Sequence, residues 1–184
     1  LYRYASFLIL KNQPKNISNF LKKKFKNLNY NKLNKINLHN PRISEHSAKI
    51  AKIYKVRKVL KIFQINFSKK NKNCCIEGRD ISTKILPKSD LKFFFKCNLS
   101  TAANRRFKEL KKINPSIKLK EVKKALRIRN ISDTKRKNSP LLKHRDSVVI
   151  DTGKLNKKDM LAKMSKCVEK VINIKKNESS GRIK

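Results

Sequence analysis

Cys74-Cys75-Ile76-Glu77-Gly78-Arg79-Asp80 is the stretch on which the fold turns. Cys74 to Ile76 is short and apolar and runs into a polar turn, the pattern of a buried strand that delivers a loop at its carboxyl end. Two further runs share that character. Leu91-Lys92-Phe93-Phe94-Phe95 suits a pleated surface, and Ser147-Val148-Val149-Ile150 ends in Asp151-Thr152-Gly153. Three apolar strands alternating with helical segments predict an α/β fold, a parallel sheet covered by helices on both faces. Ligands in such folds sit at the carboxyl ends of strands, so Glu77 to Asp80 is the first candidate site.

Helical periodicity fills the rest. Leu1 to Lys11 carries apolar residues at helical spacing, and Asn12-Gln13-Pro14 stops it. Residues 15 to 41 are dominated by Lys and Asn, with apolar content at Ile17, Phe20, Leu21, Phe25, Leu28 and Leu33, and predict a short helix or two on a weakly cored insertion. Ile50, Ile53, Val56, Leu60, Phe63 and Phe67 recur at three and four, predicting helix over 44–68 with a break near Tyr54. Asn98 caps a helix that continues to Ile113, Pro115 separates it from the next, over 118–129, and Asn130 to Pro140 reads as a mobile charged loop. Asn156 to Ile172 is an amphipathic helix with Leu161, Met164, Val168 and Val171 inward. The organisation expected is a leading helix at 1–12, a reduced insertion at 13–42, a core at 43–175 containing the 129–140 loop, and a disordered tail at 176–184.

The 184 residues, 38% of them hydrophobic, suffice for one cored domain, or one with a small insertion. The net charge of +38 suggests an acidic partner. Yet 39 of the 50 basic residues are Lys and only 11 Arg, beside 20 Asn and 19 Ile, all favoured by A- and T-rich codons. A patch selected for nucleic acid leans on Arg, so most of this charge reads as compositional background, and specific nucleic-acid binding is not expected. Cys74, Cys75, Cys97 and Cys167 lack metal-ligand spacing and read as buried thiols in a reducing cytoplasm, with no metal site expected. The longest apolar runs, Phe7 to Leu10 and Phe93 to Phe95, fall far short of the roughly 20 residues that cross a bilayer.

Where Lys is abundant, Arg marks places where geometry matters. Arg79 lies in the post-strand turn beside Asp80, and Arg129 and Arg136 flank the charged loop. Guanidinium forks from separate elements can converge on a phosphate, and the alternative is a set of surface ion pairs worth under about 1 kcal/mol each.

Ile76-Glu77-Gly78-Arg79-Asp80-Ile81-Ser82-Thr83, Pro87, Asp90 to Phe94, Arg105-Arg106-Phe107-Lys108-Glu109-Leu110, Pro140-Leu141 and Val148 to Thr152 together resemble the bacterial cytidylate kinase family, in order and in spacing. The resemblance covers residues 43–172, and Leu1-Tyr2-Arg3 with its helix is similar to the segment just after that family's Walker-type loop. It implies a P-loop nucleoside monophosphate kinase-like fold that moves the γ-phosphoryl of ATP, as its Mg2+ complex, to CMP or dCMP. By position it implies that Arg3 holds the acceptor phosphate and that Arg57 reaches the acceptor nucleotide. Arg79 and Asp80 contact phosphate and cytosine. Arg129 and Asp133 lie near the acceptor sugar and phosphate, Arg136 reaches in when the lid closes, and Arg105 and Arg106 face the ATP phosphates. Arg129 and Arg136 are the catalytic candidates. An Asp accepting from an exocyclic amine separates cytosine from uracil, because the donor on one is an acceptor on the other. A cytoplasmic monomer is the implied form.

The chain also departs from the pattern. Asn130-Ile131-Ser132 stand in the lid where the family carries a denser Arg and Asp run, and Ser47-Ala48 puts a base-contacting hydroxyl one place early. The only glycines are Gly78, Gly153 and Gly181, so the G-x-x-x-x-G-K-S/T phosphate loop is not here. Because the chain opens on Leu1 and the resemblance starts immediately after that loop, we expect an N-terminally truncated kinase, inactive alone, that lacks the first parallel strand. The rival readings are a basic RNA- or ribosome-binding protein and an inactive homologue that keeps only the acceptor site.

Overall fold

The structure, a computed structural model, describes residues 1–26, 28, 36–38, 40–71 and 73–180, with the side chains of 179 and 180 excepted. It divides into two compact units. The first comprises Leu1–Ile81 with Arg136–Ser139, and the second Ser82–Lys135 with Pro140–Lys184.

The first unit is helical: α1 (Tyr2–Asn12), α2 (Ile17–Lys26), α3 (Pro41–Ile50) and α4 (Tyr54–Lys70). α1 stops where expected, because Gln13 takes a left-handed conformation (φ 41°) and returns its N–H to the Ile9 carbonyl. Asn40 caps α3 by accepting the Arg42 N–H at 2.8 Å, with Pro41 in the first turn, where a missing N–H costs nothing. Three residues then break the helix before α4, as the periodicity suggested. α1 packs on α3 and α2 on α4 around Ala5, Leu8, Ile9, Leu21, Phe25, Val56 and Leu60. Phe25 sits edge-on to Tyr4 and Phe63, at 5.8 and 5.2 Å between centroids. Fully burying a Leu or Phe contributes about 1.5–3 kcal/mol. α2, the described helix of the Lys- and Asn-rich stretch, is therefore anchored by Leu21 and Phe25. Leu33 lies outside the described residues.

The second unit holds the strands. β1 (Phe93–Lys96) and β2 (Val148–Asp151) pair in parallel, Phe93 opposite Val148 and Lys96 opposite Asp151. Parallel strands need a long crossover, supplied by α5 (Leu99–Lys111) and α6 (Leu119–Lys135), which pack together. Asn98 caps α5 by accepting the Thr101 N–H at 2.8 Å. α7 (Lys157–Ser180) closes the described chain, and a π-helical turn, Ile81–Ile85, follows the Glu77–Asp80 turn.

Five sequence expectations need correction. Cys74 to Ile76 pairs with no strand among the described residues, so the expected three-stranded sheet is a two-stranded ribbon. A strand exists only by pairing, which apolar composition cannot supply. Asn130 to Lys135 is helical rather than loop. Arg129 and Asp133 pair at i and i+4 (3.8 Å), and the Thr134 hydroxyl donates back to the Asn130 carbonyl at 2.9 Å, which sustains a helix lacking an apolar stripe. The tail read as disordered from 176 is helical to Ser180, continuing α7; residues 181–184 lie outside the described set. On α7, Leu161 and Val168 are exposed and Met164 and Val171 only half-buried. A ribbon with strands about 5 Å apart gives little surface to cover a helix about 10 Å across. The cysteines are free but not buried, with Cys75 exposed and the other three intermediate.

Candidate functional site

Arg57 enters from the first turn of α4 and is buried, at 7% exposure. Its Nη2 donates to the Asp80 carboxylate in a buried ion pair, and its Nη1 donates to the Ala51 carbonyl at 3.1 Å. The Tyr2 ring, one turn into the chain, lies 5.7 Å from the guanidinium carbon. A buried charge is tolerable only when paired and hydrogen-bonded, and Arg57 has a carboxylate, a carbonyl and an aromatic face. The pair joins positions 23 residues apart.

Gly78 leaves room for Ile81 in this turn. A Cβ there would come within 2.8 Å of Ile81 Cγ1, so a side chain at residue 78 would force Ile81 to shift. Asp80, two residues on, lies in the interior at 4% exposure, whereas Arg79 between them is exposed.

Arg136 belongs to the same unit, held by Nε donating to the Ser139 carbonyl at 2.5 Å, with Ser139 in the left-handed region (φ 54°). Charges from both arginines and from Asp80 reach Tyr2. Burial pushes the Tyr2 phenol up and Asp80 adds to that, while Arg57 and Arg136 oppose it. The phenol therefore stays neutral and able to donate. The cluster thus offers two guanidiniums, one carboxylate and one phenol. Chemically it can neutralise an anion and accept from an amine donor.

Arg3 is half-buried on α1. Ser47, the displaced hydroxyl of the base-contact position, is buried and donates to the Ser44 carbonyl at 2.7 Å, so it is committed within its own helix. In the second unit, Arg105 Nη2 donates to the Thr152 carbonyl at 2.7 Å, Arg106 pairs with Glu109 at 2.8 Å, and Arg129 faces Asp133 as above. Tyr2 and the Ala51 carbonyl were missed by the sequence reading. Tyr2 was within its reach, as the residue before Arg3, whereas a backbone carbonyl leaves no mark in a sequence. Among the described residues no group of three or more His, Cys, Asp or Glu side chains could hold a metal ion. No helix among them is long and apolar enough to cross a membrane.

The second unit is thus a parallel strand pair bridged by helices, and the first is a helical unit with a buried guanidinium–carboxylate pair at a polar turn. The family model for Cytidylate kinase matches residues 2–170, and the chain belongs to that family. The family's fold is that of a P-loop nucleoside monophosphate kinase, with which these helical units and small parallel sheet are consistent. The Cytidylate kinase of Thermotoga neapolitana is 37% identical over 99 residues, covering 54% of this chain and 45% of that protein. That of Mesomycoplasma hyopneumoniae is 35% identical over 103 residues (56% and 45%), and that of Rickettsia africae 35% over 116 residues (63% and 50%). The chain spans about half the length of the curated relatives it matches.

Proposed function

We propose that the protein is the acceptor-binding portion of a kinase that transfers the γ-phosphoryl of ATP to CMP or dCMP. The observation that carries this reading is the buried Arg57–Asp80 pair beside Tyr2 and Arg136, in a chain whose family is cytidylate kinase. Asp80 accepts from the exocyclic amine of cytosine, Arg79 contacts the base and phosphate, and Arg57 orients the carboxylate while contributing charge toward the nucleotide. Arg3 and Arg136 neutralise the acceptor phosphate, and Arg129 and Asp133 hold its sugar and phosphate side. Arg105 and Arg106 serve the ATP side. Phosphoryl transfer asks a protein mainly for position and charge neutralisation, which these groups supply without a general base. Mg2+ enters as the counter-ion of ATP, bound chiefly by phosphates and water, which requires no cage of protein ligands. ATP turnover belongs to a form that includes a phosphate loop; residues 1–184 by themselves bind the acceptor.

Calorimetric titration of the chain with CMP, dCMP and UMP tests this. Uracil leaves the buried carboxylate facing an acceptor, a mismatch of about 1–3 kcal/mol, so CMP and dCMP are expected to bind about ten-fold tighter than UMP or better. Asp80→Asn, shown folded by its tyrosine fluorescence, is expected to bring the three within about three-fold, because an amide presents both a donor and an acceptor. Equal affinity for CMP and UMP in the parent chain would remove Asp80 from base reading.

A further inference from the structure

A cleft of about 600 Å³ lies between α2 and α4. Four lysines line it, Lys22 and Lys26 from α2 and Lys55 and Lys58 from α4, together with Tyr54 and Phe63. It is separate from the Arg57 site. At about 100° per residue, Lys55, Lys58 and Ile62 lie about 100–160° around α4 from Arg57, so the two sites occupy opposite sides of one helix.

The electrostatics of this cleft are not the chain's average. Residues 1–44 contain no Asp or Glu, and the next acidic residue after Glu45 is Glu77. α2 and α4 together therefore carry Lys without a single carboxylate, whereas the equally Lys-rich α7 interleaves Asp159, Glu169 and Glu178. The whole run from Leu1 to Ile76 holds Glu45 as its one carboxylate, so no acidic side chain of α2 or α4 offsets the cleft lysines. Among the described residues, none of the four cleft lysines has a carboxylate partner. The Tyr54 ring beside them is 64% exposed, an open aromatic face among ammonium groups. The cationic track continues along the same side of α4 beyond the cleft at Lys69 and Lys70, farther than a single nucleotide would use.

We infer that this cleft is a binding groove for single-stranded nucleic acid, engaged without sequence preference. Phosphates are neutralised by Lys22, Lys26, Lys55 and Lys58, and an unpaired base stacks on Tyr54. Alternating aromatic and phosphate groups is the chemistry of an unpaired strand. Lysine ammonium groups neutralise backbone phosphates as point charges, the part of binding that does not read sequence. A duplex hides its base faces, and an acidic polypeptide has no use for the aromatic edge.

The test is fluorescence anisotropy of a labelled rU12 oligonucleotide with the full chain. Lys55→Glu/Lys58→Glu is expected to weaken binding at least ten-fold and to lower the salt slope by about 1.4, the value for two single-strand phosphate contacts. Tyr54→Ala is expected to weaken it about five-fold or more. Lys55→Arg/Lys58→Arg is expected to restore parental binding. Lys163→Glu/Lys166→Glu on α7, the same change of charge on exposed positions elsewhere, is expected to cost no more than about two-fold, since it alters only the overall field. Equal losses from the two glutamate pairs, an unchanged Tyr54→Ala, or equal competition by a duplex or by polyglutamate would each overturn the groove.

Discussion

The buried Arg57–Asp80 pair makes a prediction about stability that does not depend on catalysis. Consider three variants: Asp80→Leu, Arg57→Met, and the double variant. Removing the carboxylate leaves a guanidinium that cannot deprotonate, at 9% side-chain exposure, with the Ala51 carbonyl and the Tyr2 ring still in place. Breaking a buried pair costs about 3–5 kcal/mol, and these surviving contacts put Asp80→Leu at the lower end, about 3 kcal/mol, unchanged between pH 7 and pH 5. Removing the guanidinium is different, because the stranded carboxyl can escape by taking up a proton. An ordinary carboxyl titrates near 3.9, and each pH unit above that costs about 1.4 kcal/mol. The escape therefore caps the charge part of the Arg57→Met penalty at about 4 kcal/mol at pH 7 and about 1.5 kcal/mol at pH 5, beside a pH-independent part from the lost contacts to the Ala51 carbonyl and the Tyr2 ring. Replacing both by apolar groups of similar volume leaves no charge to strand, so the double variant is expected within about 1 kcal/mol of the parent.

The assay is urea unfolding followed by tyrosine fluorescence. The chain has no Trp, and all four tyrosines (Tyr2, Tyr4, Tyr30, Tyr54) lie in its first 54 residues, so the signal reports the part of the chain that holds the pair. Each variant is compared with the parent at the same pH, which cancels every other titrating group. Additive single penalties, or an Arg57→Met penalty that stays constant between pH 7 and pH 5, would refute the assignment of Arg57 and Asp80 as a buried, mutually dependent pair.

Two further outcomes follow from the same geometry. In a form of the protein that includes a phosphate loop, the placement of Arg136 at the acceptor phosphate proposed above predicts that Arg136→Ala lowers kcat by more than about ten-fold, since charge neutralisation there acts in the transition state; unchanged turnover in a coupled ATP-consumption assay would remove it from the proposed mechanism. His46, whose Nδ1 lies 2.8 Å from the Ser6 hydroxyl, has its pKa lowered by burial, then by Lys49 and Arg42, against Glu45. Its folded value lies below its unfolded one, so the folded state resists protonation. Stability is full above the unfolded value near 6.5, declines as pH falls toward the lower folded value, and is level below it. Urea midpoints from pH 7.5 to 4.5 are expected to lose that decline in His46→Asn, and an identical profile in parent and variant would assign it elsewhere.

The parts of the molecule legible in its sequence are those that a few neighbouring residues determine. Asn12-Gln13-Pro14 ended α1 and Asn98 opened α5, because a cap is a contract between residues three or four apart. Cys74 to Ile76 has the composition of a strand as clearly as Phe93 to Phe95 does, yet only the latter is one, because Val148 to Asp151 lies alongside it. α7 shows the same limit: its period marks a stripe, but what covers the stripe is decided elsewhere in the chain.

The candidate site follows the same division. Scarcity made the arginines stand out against 39 lysines, and the turn Glu77 to Asp80 identified the carboxylate, so both halves of the central pair were legible. Their union was not, since nothing local to Arg57 selects Asp80 over the other 11 acidic residues. What selects it is the conjunction of a turn whose glycine leaves room for Ile81 and a helix start that faces Arg57 inward. The lysines invert this logic. Their number concealed a pattern that becomes visible only when the missing carboxylates are mapped onto α2 and α4. In a chain biased toward one residue type, the positions that exclude the opposite charge carry more information than those that accumulate the common one.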